Sequence, residues 1–565
     1  MLAPDRYYYL QNFASAIAWV SERSGDLLDG SEHQFLIEFK QLPKFSQALL
    51  VRMILRRGPW FLENKLNYAE IPNFREAVAP LVELGWVDGK HPMTLVELFA
   101  LHTKPELLQL FIRYGVNAAM RKAQMLDFLS GSQPVTQTYV SWNPESETGA
   151  WRIMIGELCE RLRLMFFGNL YQSWSEFVLT ELGVFQYEKV ALDGVSRAFQ
   201  CRNDIDCYLE MHGCREALDD GQDATILLRT LANCVSANPW LEARRNKLLF
   251  RIGQACERKQ DWERAEKAYL QSRYPGSRHR RIRIFERTGR FSDAFYLAQS
   301  AQADPESDEE SQQLKRMLPR LARKVEPTHV CAMDLVPATS TMRIDLELDA
   351  PGQPASVEYV LREYWHSEDT PTFYVENALM TSLFGLLCWP AIFMPLPGAF
   401  FHPFQSGPAD LAAPDFVSRR DTEFNDCIAH LDGSSYCDVI RQRYTEKYGV
   451  QSPFVSWGVI TDRILNLALD CIPAAHLKQI FLRMLRDIRT NRTGLPDLVR
   501  FWPAEKRYEL VEVKGPGDKL QDNQIRWLQF FSEHGIPTCV CHVRWRAKNT
   551  TKPRSGRVHS ARIAK

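Results

Sequence analysis

The stretch from Tyr508 to Gly515 reads Y-E-L-V-E-V-K-G, and its alternation is the tightest constraint in the chain. Successive side chains of a strand point to opposite faces. Leu510, Glu512 and Lys514 therefore share one face, and Val511 and Val513 share the other. Upstream, G-L-P-D-L-V-R-F-W from Gly494 runs from a turn into another strand and sets Asp497 beside Glu512 and Lys514. Downstream, K-L-Q-D-N-Q-I-R-W-L-Q-F-F-S-E-H-G from Lys519 has helical spacing, with Ile525, Leu528 and Phe531 on a core face and Gly535 as its cap. I-P-T-C-V-C-H-V then supplies a further strand. Strand, strand, helix and strand in such short order predict a domain of mixed α and β with charge gathered on its second strand.

A chain of 565 residues outgrows a single core, and about three to five domains are expected. Residues 1–90 read as an N-terminal helical domain, with F-S-Q-A-L-L-V-R-M-I-L-R-R from Phe45 showing the period. In 91–135, Met93 to Ala100 can form one short helix, and Pro105 opens a second that ends near Tyr114-Gly115. R-K-A-Q-M-L-D-F-L from Arg121 forms a third. This layout resembles a SAP-type DNA-binding module, an implication that extends to Lys122. Residues 136–330 are helical almost throughout and echo themselves 29 residues apart: Glu257-Arg258 with Glu286-Arg287, Trp262 with Phe291, Ala265 with Ala294. Small residues where helices cross, with an aromatic nearby, resemble tetratricopeptide-type repeats. The connector P-G-S-R-H-R-R reads as a basic turn that offers Arg278, Arg280 and Arg281 to phosphates. The acidic 304–312 stretch reads as a surface linker, and T-M-R-I-D-L-E-L and A-S-V-E-Y-V-L read as strands opening an α/β domain at 331–545. Residues 546–565 form a basic tail. The expected fold is multidomain: mainly α in the N-terminal and repeat regions, then α/β.

The 69 basic and 69 acidic side chains cancel, so any attraction for nucleic acid must come from local charge rather than net charge. The 13 cysteines contain no C-x-x-C pair, which argues against structural zinc and against a disulfide framework, and fits a reducing compartment. The start, M-L-A-P-D-R-Y-Y-Y-L, lacks the basic-then-apolar pattern of a secretion signal. No uncharged apolar run reaches about 18 residues, so no membrane partner is expected. No Walker loop or dinucleotide-binding glycine pattern suggests a nucleotide cofactor.

Two carboxylates and a lysine at the end of a β-hairpin suit phosphodiester hydrolysis. The carboxylates can hold one or two hard divalent ions, Mg²⁺ or Mn²⁺, and the lysine can orient a water and offset negative charge. The P-D…E-x-K arrangement of Asp497, Glu512 and Lys514 resembles the PD-(D/E)xK nuclease superfamily. Its extension, V-E-V-K-G-P-G-D-K-L followed by Gln524, resembles the VRR-NUC branch, in which the helix glutamine belongs to the site. E-N-A-L-M-T-S-L-F-G-L-L-C-W-P-A-I-F from Glu376 is similar to the opening helix of the nuclease domain in the Fanconi-associated nuclease family, as are D-F-V-S-R-R ending at Arg420 and F-V-S-W ending at Trp457. The resemblance implies a metal set of Glu376, Asp497, Glu512 and the Val513 carbonyl, with Lys514 and Gln524 completing the catalytic group. It also implies cleavage at 5′ flaps, degradation from 5′ ends and a role in interstrand-crosslink repair, with branched or flapped double-stranded DNA as partner.

The same resemblance gives Arg489 and Arg278 as candidates for a pocket that takes a terminal phosphate; Lys519 reads either as a further phosphate contact or as a residue that solvates its helix. The animal family's N-terminal zinc finger has no counterpart, since no cysteine precedes Cys159. That points to a bacterial relative, cytoplasmic and nucleoid-associated rather than nuclear. Two other readings stay open: a Holliday-junction resolvase, and a non-catalytic repeat scaffold that binds branched DNA.

Overall fold

Thr94 and Thr103 each stand three residues before a glutamate, and both pairs close capping boxes through Glu97 and Glu106. They start helices Leu95–Leu101 and Lys104–Phe111, with Lys122–Ser130 as the third. Gly115, at φ 95°, ends the second stretch in the left-handed region that favours glycine. The three helices close over Leu98, Leu107, Phe111, Met125, Leu129 and Trp142, and Trp142 Nε1 donates to the Met93 carbonyl at 3.2 Å. The first helix begins later than the sequence suggests because Met93 and Thr94 pair with Gln137 and Thr136 in a short ladder.

The computed structural model describes residues 6–131, 136–146, 148–174, 185–192, 196–325 and 341–546. The basic tail beyond Arg546 thus lies outside the described residues. The chain forms two units, one of Met1–Ile284, Phe393–Leu411 and Gly449–Gln451, the other of Phe285–Ile392, Ala412–Tyr448 and Ser452–Lys565. The units do not part at residue 330, where the sequence suggests a boundary. Nor is 331–545 a single body, because Phe393–Leu411 returns to the first unit. There Phe401 enters the core, Arg23 donates to its carbonyl at 2.7 Å, and Gly398 lies against Trp240.

In the first unit, helices Pro239–Arg258 and Trp262–Gln271 pack so closely that a Cβ on Gly253 would stand 2.6 Å from the Tyr269 ring. Ala265 and Ala268 are fully buried, as the repeat pattern requires. The echo extends to the backbone, since Gln260 and Gly289 both turn with positive φ, 59° and 77°. The supposed basic turn is a correction. The turn is confined to Pro275-Gly276, with Gly276 at φ 90°, and Ser277–Arg287 is helical, so Arg278, Arg280 and Arg281 are helix residues.

Two corrections concern the second unit. The acidic stretch is no linker from residue 308 onward: Asp308, Glu309 and Glu310 form the first turn of helix Asp308–Val325. Ser307 Oγ accepts the Glu310 N–H at 3.1 Å, and acidic side chains are favoured at that end by the helix dipole. A-S-V-E-Y-V-L is helix α1 (Val357–Trp365), not a strand. Ser356 caps it by accepting the Tyr359 N–H, and Val357, Val360, Leu361 and Trp365 recur at helical spacing on the face that meets the core.

The sheet of this unit comprises β1 (Met342–Leu348), β2 (Thr372–Tyr374), β3 (Leu498–Trp502), β4 (Arg507–Lys514) and β5 (Thr538–Trp545), in the order β1-β5-β4-β3-β2. β5 runs parallel to both β1 and β4, whereas β3 is antiparallel to its two neighbours, β4 and β2. Val511 and Val513 lie in one core with Leu361, Leu498, Cys539, Cys541 and Val543, which fixes β4's apolar face. Helix α2 (Ala378–Leu387) follows β2, and helix α3 (Asp522–Glu533) joins β4 to β5. On α3 the buried residues are Trp527, Leu528, Phe530 and Phe531, with Ile525 only partly covered; Gly535, at φ 65°, ends the helix as its position suggests.

Candidate active site

The register Leu498 opposite Val511 places Asp497, one residue before β3, across from Glu512 on β4. The Val513 N–H donates to Asp497 Oδ2 at 2.9 Å and fixes the carboxylate. Asp497, Glu512 and Lys514 are 9%, 1% and 7% exposed, which is rare burial for ionisable groups. Lys514 Nζ donates to Gln524 Oε1 at 3.1 Å and lies 2.9 Å from Glu512 Oε1 as an ion pair. Beyond that ion pair, neither Glu512 oxygen has a hydrogen-bond partner among the described residues. Gln524 in turn accepts the Gln521 N–H in the capping box that starts α3.

Electrostatics follow from this burial. Glu512 is pushed up to about 7, first by burial and then by the Asp497 charge, with Lys514 pulling the other way. Asp497 is raised to about 6, again mainly by burial; the Val513 N–H opposes the shift, while Glu358 and Glu376 reinforce it. Two buried carboxyls that resist ionisation side by side, one with orphaned oxygens, form a donor set that fits a hard divalent cation. Among the described residues no three His, Cys, Asp or Glu side chains are gathered closely enough to hold an ion alone. The pair therefore relies on main-chain or solvent oxygen for its remaining ligands, and the Val513 carbonyl is one such oxygen.

Glu376 is exposed and precedes α2 rather than starting it; the Tyr374 hydroxyl donates to its carboxylate. Its backbone is set by Asn377, at φ 53°, a strained conformation for a residue other than glycine. Asn377 Oδ1 accepts the Leu495 N–H at 3.0 Å, and the Val375 N–H donates to the Asp497 carbonyl at 2.8 Å, which ties the Glu376 turn to the Gly494-Leu495-Pro496-Asp497 turn. Gly494, at φ 85°, leaves room for Asn523 on α3, whose side chain would lie 2.7 Å from a Cβ there. Three contributors escape the sequence reading: Tyr374, Asn377 and Glu358. Glu358 sits in the first turn of α1, and a helical reading of S-V-E-Y with serine as cap would have flagged it.

The structure thus brings together Asp497, Glu512, Val513, Lys514 and Gln524. The predicted DNA contacts are spread more widely. Lys519 is exposed after the Gly515–Asp518 turn, and Arg489 is exposed on helix Ile488–Asn491. In the first unit Arg280 pairs with Glu257 at 3.2 Å, Arg278 and Arg281 share its helix, and Lys122 Nζ donates to the His102 carbonyl at 2.8 Å.

Three family models match the chain: the VRR-NUC domain at residues 433–545, the FAN1 HTH domain at 7–88 and the Fanconi anemia-associated nuclease SAP domain at 92–142. The HTH match gives the N-terminal helices a description that the sequence reading left open. A Fanconi-associated nuclease 1 homolog of Pseudomonas aeruginosa is 49% identical over 543 residues, 96% of each chain. One of Oryza sativa subsp. japonica is 24% identical, covering 96% of this chain and 63% of that longer protein. The crystal structure of paFAN1 bound to 2-nt 5′ flap DNA with a gap superposes with a TM-score of 0.91 at 48% identity, over 97% of this chain and 100% of that one. With the sheet, the buried carboxylates and the lysine in place, the chain belongs to the Fanconi-associated nuclease 1 family and is a metal-dependent nuclease of the VRR-NUC type.

Proposed function

We propose that this protein cuts 5′-flap and other branched double-stranded DNA, degrades strands from 5′ ends and serves repair of interstrand crosslinks. One observation carries the reading: nearly its whole length matches a protein crystallised on 5′ flap DNA, and the buried Asp497–Glu512–Lys514 set is intact. Mg²⁺ or Mn²⁺ would be held by Asp497, Glu512 and the Val513 carbonyl, with Glu376 approaching from its turn. A divalent ion so held lowers the pKa of a bound water and neutralises charge building on the phosphate oxygens.

The chain's own residues do the rest. The Val513 N–H holds Asp497 in one rotamer, and Gln524 holds the Lys514 ammonium at the Glu512 carboxylate. From there Lys514 orients the attacking water and offsets charge on the phosphate, leaving a 5′-phosphate and a 3′-hydroxyl. Arg278, Arg280, Arg281, Arg489, Lys519 and Lys122 supply phosphate contacts that place the DNA. A reducing cytoplasm suits the twelve described cysteines, all of which are free, and among the described residues no helix is long and apolar enough to cross a membrane.

The test is cleavage of end-labelled 5′-flap, 3′-flap and Holliday-junction DNA in Mg²⁺ or Mn²⁺, beside Asp497→Ala. Cutting near the 5′-flap junction that EDTA and the substitution both abolish supports the proposal. Equal cutting by Asp497→Ala, or preference for the symmetric junction, overturns it.

A further inference from the structure

Arg244, on helix Pro239–Arg258 of the first unit, is a recessed cation that no acid among the described residues answers. Its guanidinium lies over the rings of Trp240 and Tyr208, at 4.3 and 4.8 Å. Among the described residues its hydrogen bonds are two long ones, 3.4 Å to the Tyr208 hydroxyl and 3.3 Å to the Gly168 carbonyl, and its Nε has no partner. Among the described residues no carboxylate pairs with it, and Tyr208 and Arg215 are the charged or titratable groups that act on it. Partial burial pulls its pKa down, as expected for a cation withdrawn from water. Cations in such positions are normally paired.

The side chain lines a cavity of about 450 Å³, a size typical of small-molecule sites. Among the lining residues Arg244 alone carries charge; the walls are otherwise aromatic rings, amides and small residues. Phe185 keeps 39% of its surface exposed at this wall. Tyr187 meets Phe404 edge to face at 6.3 Å, and the Gln405 side chain pins its own loop through the Ala399 and Gly407 carbonyls. Gly168 lets the opposing wall close in, since a Cβ there would stand 2.1 Å from the Phe401 ring. The cavity is therefore held by built contacts on each side, with one unanswered positive charge.

We propose that this cavity binds a nucleoside monophosphate, with its phosphate on Arg244 and its base against the aromatic wall. A guanidinium is the preferred donor to phosphate, and bases stack on aromatic faces regardless of sequence. The ligand is named from the cavity's own chemistry, a single guanidinium beside aromatic walls, and does not depend on the proposed function. A free mononucleotide and the terminal nucleotide of a single strand share this chemistry, and the experiment separates them.

The experiment is calorimetric titration of the full-length protein in EDTA, so that no divalent ion recruits nucleotide to Asp497 and Glu512. The probes are dAMP, deoxyadenosine, inorganic phosphate and a 5′-phosphorylated single-stranded oligonucleotide. Saturable dAMP binding, weakened more than tenfold by removing either the phosphate or the nucleoside and more than tenfold by Arg244→Met, supports the proposal. Arg244→Met removes an uncompensated charge, so its melting temperature should hold or rise, and flap cleavage is measured beside it. No dAMP binding, binding that survives Arg244→Met, inorganic phosphate binding as tightly as dAMP, or an oligonucleotide that binds while dAMP does not would each overturn it. A lower melting temperature in Arg244→Met would mark the arginine as structural and overturn it too. None of these outcomes depends on cleavage, so the proposed nuclease function stands or falls separately.

Discussion

Glu512 and Asp497 hold protons more tightly in the folded chain than they would in the unfolded one. Between about pH 4 and pH 7 the native state therefore binds more protons, and without metal its stability falls as pH rises. We expect the melting temperature in EDTA to drop across that window. Glu512→Gln should flatten the drop and make the metal-free protein more stable at neutral pH by roughly 1–3 kcal/mol, since one pKa unit is worth about 1.4 kcal/mol. The same substitution should abolish cleavage. A melting temperature that does not fall with pH, or a Glu512→Gln protein less stable than the parent at neutral pH, would contradict this account. Lys514→Met should lower kcat by about 10²–10³ with little change in KM, because its ammonium matters most where charge builds in the transition state. Single-turnover cleavage on saturating flap DNA measures it, and a KM effect alone would assign the lysine to binding.

At the scale of elements, α1 is the case to test, because it carries Glu358 towards the site through a cap of one serine. Ser356→Ala should cost about 1 kcal/mol of local stability. Hydrogen exchange should then speed up across Val357–Trp365 first; uniform exchange would mean the cap does nothing. α1 also shows where local pattern misleads. Val357, Tyr359 and Leu361 alternate as a strand would, and β-branched and aromatic residues favour that reading. Only the serine cap and the spacing of Leu361 and Trp365 speak for the helix. The β3–β4 pair and α3 were legible because alternation, glycine and helical period agree there. Lys514 with Glu512 followed from alternation on one strand. The Asn377–Leu495 bond joins residues far apart in sequence and leaves no local sign.

For the whole molecule, affinity for DNA should be electrostatic in character although the net charge is zero. Lys519 and Arg489 are exposed beside the catalytic sheet's loops, and each substitution to alanine should lower the slope of log affinity against log salt by about 1. Flap-DNA titrations at several salt concentrations measure this, and an unchanged slope would remove that residue from the DNA path. The repeat helices tolerate little change of volume: Gly253→Leu drives its side chain into Tyr269 and should cost about 1–3 kcal/mol, read by thermal unfolding.

The return of Phe393–Leu411 to the first unit bears on how the molecule is made. A ribosome delivers the helices up to Ile284 long before it delivers Phe401, which belongs in their core. Until then that core has an apolar vacancy that nascent chain or chaperone must shield. Asp497 and the strand bearing Glu512 and Lys514 emerge later still. Synthesis thus completes the body that lacks the chemistry before the chemistry exists, and no truncation upstream of Gln451 can yield that body whole.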